Sequence, residues 1–392
     1  MCDVRNPVPE SPYTIELIAT EDGVAALESD WSRLSACAQS SNVFMTYSWF
    51  SAWTRRLIRD DGRGRLQPHV LLIKQNQIVV GIAPFVRRVV SRFGFRIRKL
   101  EFATYHSDYN ELVVGNDVRA LTHAAIDYLA CTARDWELVD LKEMRDDGSR
   151  IAAVEVAATI AGLSHRPLQE FEVCPYMPIK APWPEAMRKM GKNHLRDARK
   201  AFIRLQRMEP EGLRVRILDQ PHKERDLLGR MIAVEAQKKV DGRHSEPFVG
   251  RYAEVFQSLI NALGPQGSIV VLVLEMRDRL VSYELLYRCG TKLWGYQTAY
   301  DREFSKLSPG TLLICAAIDY GFKHGCDEFD FLRGMDTYKL RWTGDFRRNK
   351  RMILWNRRWL SRFAAFALLQ QRARLSRRNS ASGHRLPQPP GK

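Results

Sequence analysis

Apolar and polar positions along this chain fall into two alternating patterns. Short runs rich in β-branched residues occur at Val70–Ile73, Ile78–Phe85, Ile269–Met276 and Leu280–Tyr287. The first two flank Gln75-Asn76-Gln77 and the last two flank Arg277-Asp278-Arg279, which predicts two β-hairpins. An aromatic stretch with helical spacing precedes each hairpin, at Phe44–Leu57 and at Phe248–Ile260. After the second hairpin the pattern predicts a strand over Leu293–Ala299, a helix over Thr311–His324 and a strand over Glu328–Leu332. In the first half, Trp136–Leu141 occupies the place of that last strand.

The order of elements therefore repeats, and so does a word inside it. Ala-Ala-Ile-Asp-Tyr occurs at Ala124–Tyr128 and again at Ala316–Tyr320. Five residues alone can coincide by chance. Matching element types in the same order, offset by about 190 to 200 residues, point to two copies of one module. The expected fold class is α/β, each module a mixed β-sheet flanked by helices. The expected divisions are residues 1–13 as a flexible N-terminus, 14–175 and 176–356 as the modules, and 357–392 as a basic amphipathic helix with a disordered tail.

The copies differ where chemistry would need them to. The second crossover helix opens on Ser308-Pro309-Gly310-Thr311, with Lys306 just before it. A helix start offers free backbone N–H groups and the positive end of the dipole, an anion site, and a glycine there lets a phosphate approach the backbone. An ordinary capped helix between two strands is the plain alternative. The first copy opens on Gly115-Asn116-Asp117, whose carboxylate caps a helix but repels phosphate. The second module is thus expected to hold the cofactor and the first to shape the acceptor side.

Ser308–Leu313, the helix after it and Asp330–Trp342 resemble the C-terminal module of the bacterial acyltransferases of cellulose and exopolysaccharide clusters (CelD-like). These are relatives of the FemAB aminoacyltransferases within the GNAT superfamily. The likeness extends over most of residues 14–355, including Phe44–Trp49. It implies tandem GNAT-like modules and transfer of an acyl group from acyl-CoA, acetyl-CoA foremost, to an amine or hydroxyl of a cell-envelope or exopolysaccharide-related substrate. It also implies that the pantetheine arm lies along Leu293–Ala299 and that Lys306, Ser308, Pro309, Gly310 and Thr311 anchor the phosphates.

For proton transfer the resemblance implies Tyr338, with a buried tyrosine bonded to a turn carbonyl as the alternative. Asp330 reads as a base or, preferably, as an ion-pair partner of Lys339 or Arg333. Asp108, in the loop Tyr105–Leu112, matches the place of a cleft carboxylate in FemAB-like enzymes and is the stronger acid/base candidate. Arg333, Lys339 and Trp342 share the family segment and are the candidate substrate contacts. Two alternatives stand beside this function: transfer from aminoacyl-tRNA, and a non-catalytic scaffold that keeps the fold.

Charge changes the picture only at one end. Of the net +16, residues 341–392 carry +13, with 14 basic residues against Asp345 alone, and the other 340 residues carry +3. A nearly neutral body argues against a nucleic-acid partner and for an anion-seeking tail. In that tail Trp355, Trp359, Phe363 and Phe366 fall near one helical face among arginines. This is an interfacial helix that touches anionic membrane, or equally a helix docked on the body. Between the modules, Glu185–Met208 reads as a helix with a basic, solvated face and His194 packed on its apolar stripe.

Seven scattered cysteines form no CxxC pair and no metal cluster, and Met1–Tyr13 lacks an apolar signal core. The expected location is cytoplasmic, with peripheral contact at the inner membrane face. The expected partners are a small-molecule or saccharide acceptor.

Overall fold

A computed structural model of the chain describes residues 12–37, 42–92, 94–103, 106–179, 196–197, 199–200, 203, 207, 212–237, 239–240, 243–244 and 247–381. They divide into two compact units, Met1–Phe171 with Arg348–Lys392, and Glu172–Arg347. The first begins with β1 (Thr14–Ile18), α1 (Glu21–Ala25), α2 (Glu28–Cys37) and α3 (Tyr47–Asp61). The hairpin β2 (Leu66–Gln75) and β3 (Ile78–Arg92) follows, then β4 (Phe95–Phe102), β5 (Val114–Gly115) and α4 (Val118–Cys131). Next come β6 (Leu138–Arg145), α5 (Arg150–Ile160) and β7 (Ser164–Pro178), which ends in the second unit.

The second unit continues with β8 (Leu213–Leu218), α6 (Leu227–Ala236), β9 (Lys239–Val240), β10 (Arg243–His244), α7 (Phe248–Arg251) and α8 (Ala253–Leu263). Its hairpin is β11 (Ile269–Met276) and β12 (Arg279–Cys289), followed by β13 (Lys292–Tyr300), α9 (Pro309–Lys323) and β14 (Glu328–Asp330). The chain then returns to the first unit through β15 (Phe346–Trp355) and α10 (Trp359–Ala381).

The two sheets have one topology. The first runs β1-β2-β3-β4-β6-β15, with β5 paired to β3; the second runs β8-β11-β12-β13-β14-β7. In each, one pair is parallel, β4 with β6 and β13 with β14, and the other neighbours in these paths pair antiparallel where a register is defined. Even the hairpin irregularity recurs: Val80 and Val281 are the extra residues of a bulge at equivalent places. Ala124–Tyr128 lies on α4 and Ala316–Tyr320 on α9, each the crossover between the parallel strands. The last strand of each path is exchanged, because β7 follows the first unit in sequence and β15 follows the second.

Alternation along the strands builds the core. In β2, Leu71 and Ile73 join a cluster with α4 and α5, while Val70 and Leu72 join one with α2 and α3. Helix starts and stops follow local chemistry. The aromatic stretch at Phe44 divides where the Thr46 hydroxyl caps α3 through Trp49 N, and α3 ends at Gly62 with φ 51°. The stretch at Phe248 divides at Tyr252, whose φ of −117° is not helical. β14 stops at Asp330, short of the expected Leu332, which has φ 57°.

α10 is docked: Ala364 and Ala365 are buried with Ile97, Leu138, Leu168 and Ile353. No described helix is long and apolar enough to cross a membrane. The expected helix Glu185–Met208, with His194, lies for the most part outside the described residues, as do residues 1–11 and 382–392.

Candidate functional site

The length of β13 creates the site in the second unit. Its first residues, Lys292–Trp294, pair with Glu328–Asp330, but β14 ends there. From Gly295 to Tyr300 β12 is the only strand among the described residues that pairs with β13, so no described strand covers its other edge. Such an edge accepts an extended polar chain as an added strand. A bulge sits at its base. Leu285 pairs with Gln297 and Leu286 with Gly295, leaving Tyr296 as the extra residue. Tyr296 is wedged among Tyr287, Phe256 and Phe248, with ring centroids 5.1 to 6.4 Å apart.

α9 starts beside that edge. Ser308 takes a left-handed conformation, φ 54° and ψ 51°, and its hydroxyl does not cap the helix. Pro309 fills the first position, where its missing N–H costs nothing. A side chain built on Gly310 would meet no atom within 4 Å, so the first turn opens on free space. Ser308 N and Thr311 N donate to the Ser305 and Ser308 carbonyls, so the Gly310 amide, with the aligned dipole and open room, makes the candidate anion site. A cavity of about 590 Å³ joins these parts. It is lined by Gln297–Tyr300 of β13, Ser308–Thr311 of α9, and Tyr338, Arg341 and Trp342, with Val234, Glu235, Pro247 and Phe248 among the rest of the wall.

Tyr338 brings a protonated donor. Burial, with the Glu284 and Asp336 carboxylates, pushes its phenol well above the ordinary range. The hydrogen bond to a turn carbonyl that the alternative reading required is not formed with any described residue. Trp342 is buried and packs on Phe331.

The other sequence-predicted residues are placed differently. Asp330 is fully buried; its Oδ1 accepts from Leu332 N at 2.8 Å and its Oδ2 from Arg347 Nη1 at 2.9 Å. Arg347 is thus one of its ion-pair partners. Lys339 is buried, and its ammonium donates to the carbonyls of Arg333 at 2.6 Å and Leu332 at 3.4 Å, which ties the turn after β14. Neither residue lines the cavity, nor do Arg333 and Lys306; Arg302 and Ser305 represent the turn before α9. Asp108 belongs to the first unit, where it is buried and its Oδ1 accepts from Asn349 Nδ2 at 3.4 Å.

Two carboxyl groups escaped the sequence reading. Glu235 lines the cavity and accepts three hydrogen bonds, from Tyr283 Oη and Gln297 Nε2 at 2.6 Å and from Val249 N at 2.8 Å. It locks β13 to the helix layer. Glu284, opposite Thr298 on β12, is buried with no hydrogen-bond partner for Oε2. Burial pushes its carboxyl up to about 8, against smaller pulls from the Thr298 hydroxyl and the Lys339 ammonium. A lone acid inside the apolar run Leu280–Leu286 was the available signal. Among the described residues no group of three or more His, Cys, Asp or Glu is set to hold a metal.

The equivalent place in the first unit is closed. Asp117 caps α4 by accepting from Ala120 N at 3.0 Å, and a side chain on Gly115 would strike Leu121 and the Val80 carbonyl. β4 extends one residue beyond its pairing with β6, and its register with β3 has no bulge.

Residues 192–340 match the family described as Acetyltransferase (GNAT) domain. The match falls inside the second unit, which therefore carries a GNAT acetyltransferase domain. No curated protein matches the chain in sequence. Among solved structures, FemX superposes with a TM-score of 0.57 at 12% identity, covering 83% of this chain and 95% of its own. A protein of unknown function from Bacteroides thetaiotaomicron gives 0.51 at 10% identity, covering 87% and 100%. A tandem GNAT protein from the clavulanic acid biosynthesis pathway gives 0.43 at 11% identity, covering 87% and 98%. At such identities the first two likenesses bear on the fold.

Proposed function

We propose that the second unit is an acyl-CoA-dependent acyltransferase acting on an amine or hydroxyl of a saccharide or other cell-envelope substrate. One observation carries this reading: an uncapped helix start, a strand edge that no described strand covers, and a protonated tyrosine all line one cavity. The matched acetyltransferase domain supports it. The coenzyme phosphates are held by the backbone at Ser308–Thr311, helped by Arg302 and Arg341 in the wall, while Lys306 adds charge from the rim. The pantetheine arm pairs along Gly295–Tyr300, and an amide freed by the bulge polarises the thioester carbonyl.

The acceptor nitrogen or oxygen then attacks that carbonyl. A bond to carbon forms, the carbon–sulfur bond breaks, and the phenol of Tyr338 gives its proton to the departing thiolate. The acceptor's own proton passes to water. Asp330, held by Arg347 and Leu332 N, and Lys339 with Arg333 shape the turn that presents Tyr338 and Trp342.

Coenzyme binding to Gly310→Asp tests the donor half. The new carboxylate competes for the helix start while meeting no neighbour, so calorimetry should find coenzyme A affinity lost from a protein with unchanged thermal unfolding. Wild-type affinity in that variant would overturn the phosphate assignment. In the same preparation, Tyr338→Phe should keep donor affinity and lose on the order of a hundredfold in kcat.

A further inference from the structure

α10 does two things at once. Its inner side holds it to the first unit through Ala364 and Ala365, with Leu368 and Leu369 packed beside them. Its outer side leaves Trp359 and Phe366 exposed, at 65% and 61%. With Arg362, also exposed, they sit three and four residues apart and share a stripe. The tip of the β3–β4 hairpin joins them. Phe95 stacks edge-on against Trp359 at 5.3 Å and Phe363 at 5.7 Å, and Arg92 Nη2 donates to Gln371 Oε1 at 2.7 Å.

Packing therefore fixes the helix while leaving Phe366 and most of the Trp359 ring in water. A tryptophan and a phenylalanine left in water beside cations is the composition of a face that settles into a lipid headgroup layer. Charge selects the lipid. Arg92 and Arg96 flank the hairpin tip, residues 357–378 hold seven arginines, and no acidic residue occurs between 346 and 381. We propose that α10 and the β3–β4 hairpin tip form a docking face for an anionic membrane surface.

The test uses the full chain and vesicles of phosphatidylcholine with or without phosphatidylglycerol. The protein should sediment with the anionic vesicles at low salt, ignore the neutral ones, and be released by high salt. Trp359→Ser with Phe366→Ser should weaken vesicle affinity at least tenfold, and so should Arg362→Gln with Arg96→Gln. These side chains are exposed, so thermal unfolding and acyl transfer to a soluble acceptor should not change in either variant. Full vesicle binding by the aromatic variant overturns the proposal, as does a wild-type protein that ignores anionic vesicles. Equal binding to single-stranded nucleic acid, lost in the same variants, also overturns it by making the face a general polyanion site.

Discussion

A carboxyl group in a β-strand among leucines and tyrosines destabilises the fold unless it keeps its proton. Glu284 is in that position: buried, with Oε2 unpartnered and its titration pushed from 4.5 to about 8. The sign follows from linkage. Between these values the folded protein holds a proton that the unfolded chain has released, so stability falls as pH rises through the window. One group changes it by at most about 1.4 kcal/mol per pH unit. Glu284→Gln removes the slope, and denaturant unfolding at several pH values should show the variant more stable than wild type above pH 8. Because the Glu284 charge also acts on Tyr338, the variant's kcat profile should shift on its alkaline side. Sequence alone could place Ser308–Thr311, since a helix start is a local pattern. It left out Glu284 and could not place Asp330 and Lys339 in the interior, because burial and pairing are set by neighbours far along the chain.

At the scale of elements, both hairpins, both crossover helices and the repeat were legible, because each rests on periodicity within a few residues. Boundaries moved where a single dihedral intervened, as at Thr46, Tyr252 and Leu332. The tail was legible as a helix, though over its full length its apolar residues are not gathered on one face. It packs with its alanines, so the docked reading holds, and the aromatics it displays are what the membrane proposal rests on. The packed side makes its own prediction. Ala364→Asp would bury a charge against Ile97, Leu138 and Ile353, and should cost about 3 kcal/mol or more in chemical denaturation. Stability within about 0.5 kcal/mol of wild type would mean that α10 is not part of the core.

At the scale of the molecule, the repeat extends to strand order, parallel pair and hairpin bulge, while the differences gather at the start of the crossover helix. What the pattern of residues could not disclose is the exchange of last strands. The apolar runs of β7 and β15 predict strands without naming the sheet they join, and cutting at 175 or 356 follows sequence order rather than sheet membership. A fragment ending at residue 175 lacks β15 and α10, and its β6 edge is unpaired. It should aggregate when expressed alone and become monomeric when residues 346–392 are supplied in trans, as read by size-exclusion chromatography.

The same exchange sets a timetable for synthesis. β7 is already made when β14 emerges, so the second unit finds its edge strand waiting. β6 waits for β15 while about 200 further residues are translated, which at about 5–20 residues per second is roughly 10–40 seconds. The half of the chain made first is therefore the half that finishes folding last, and through that interval its open edge depends on whatever the cell offers to cover it.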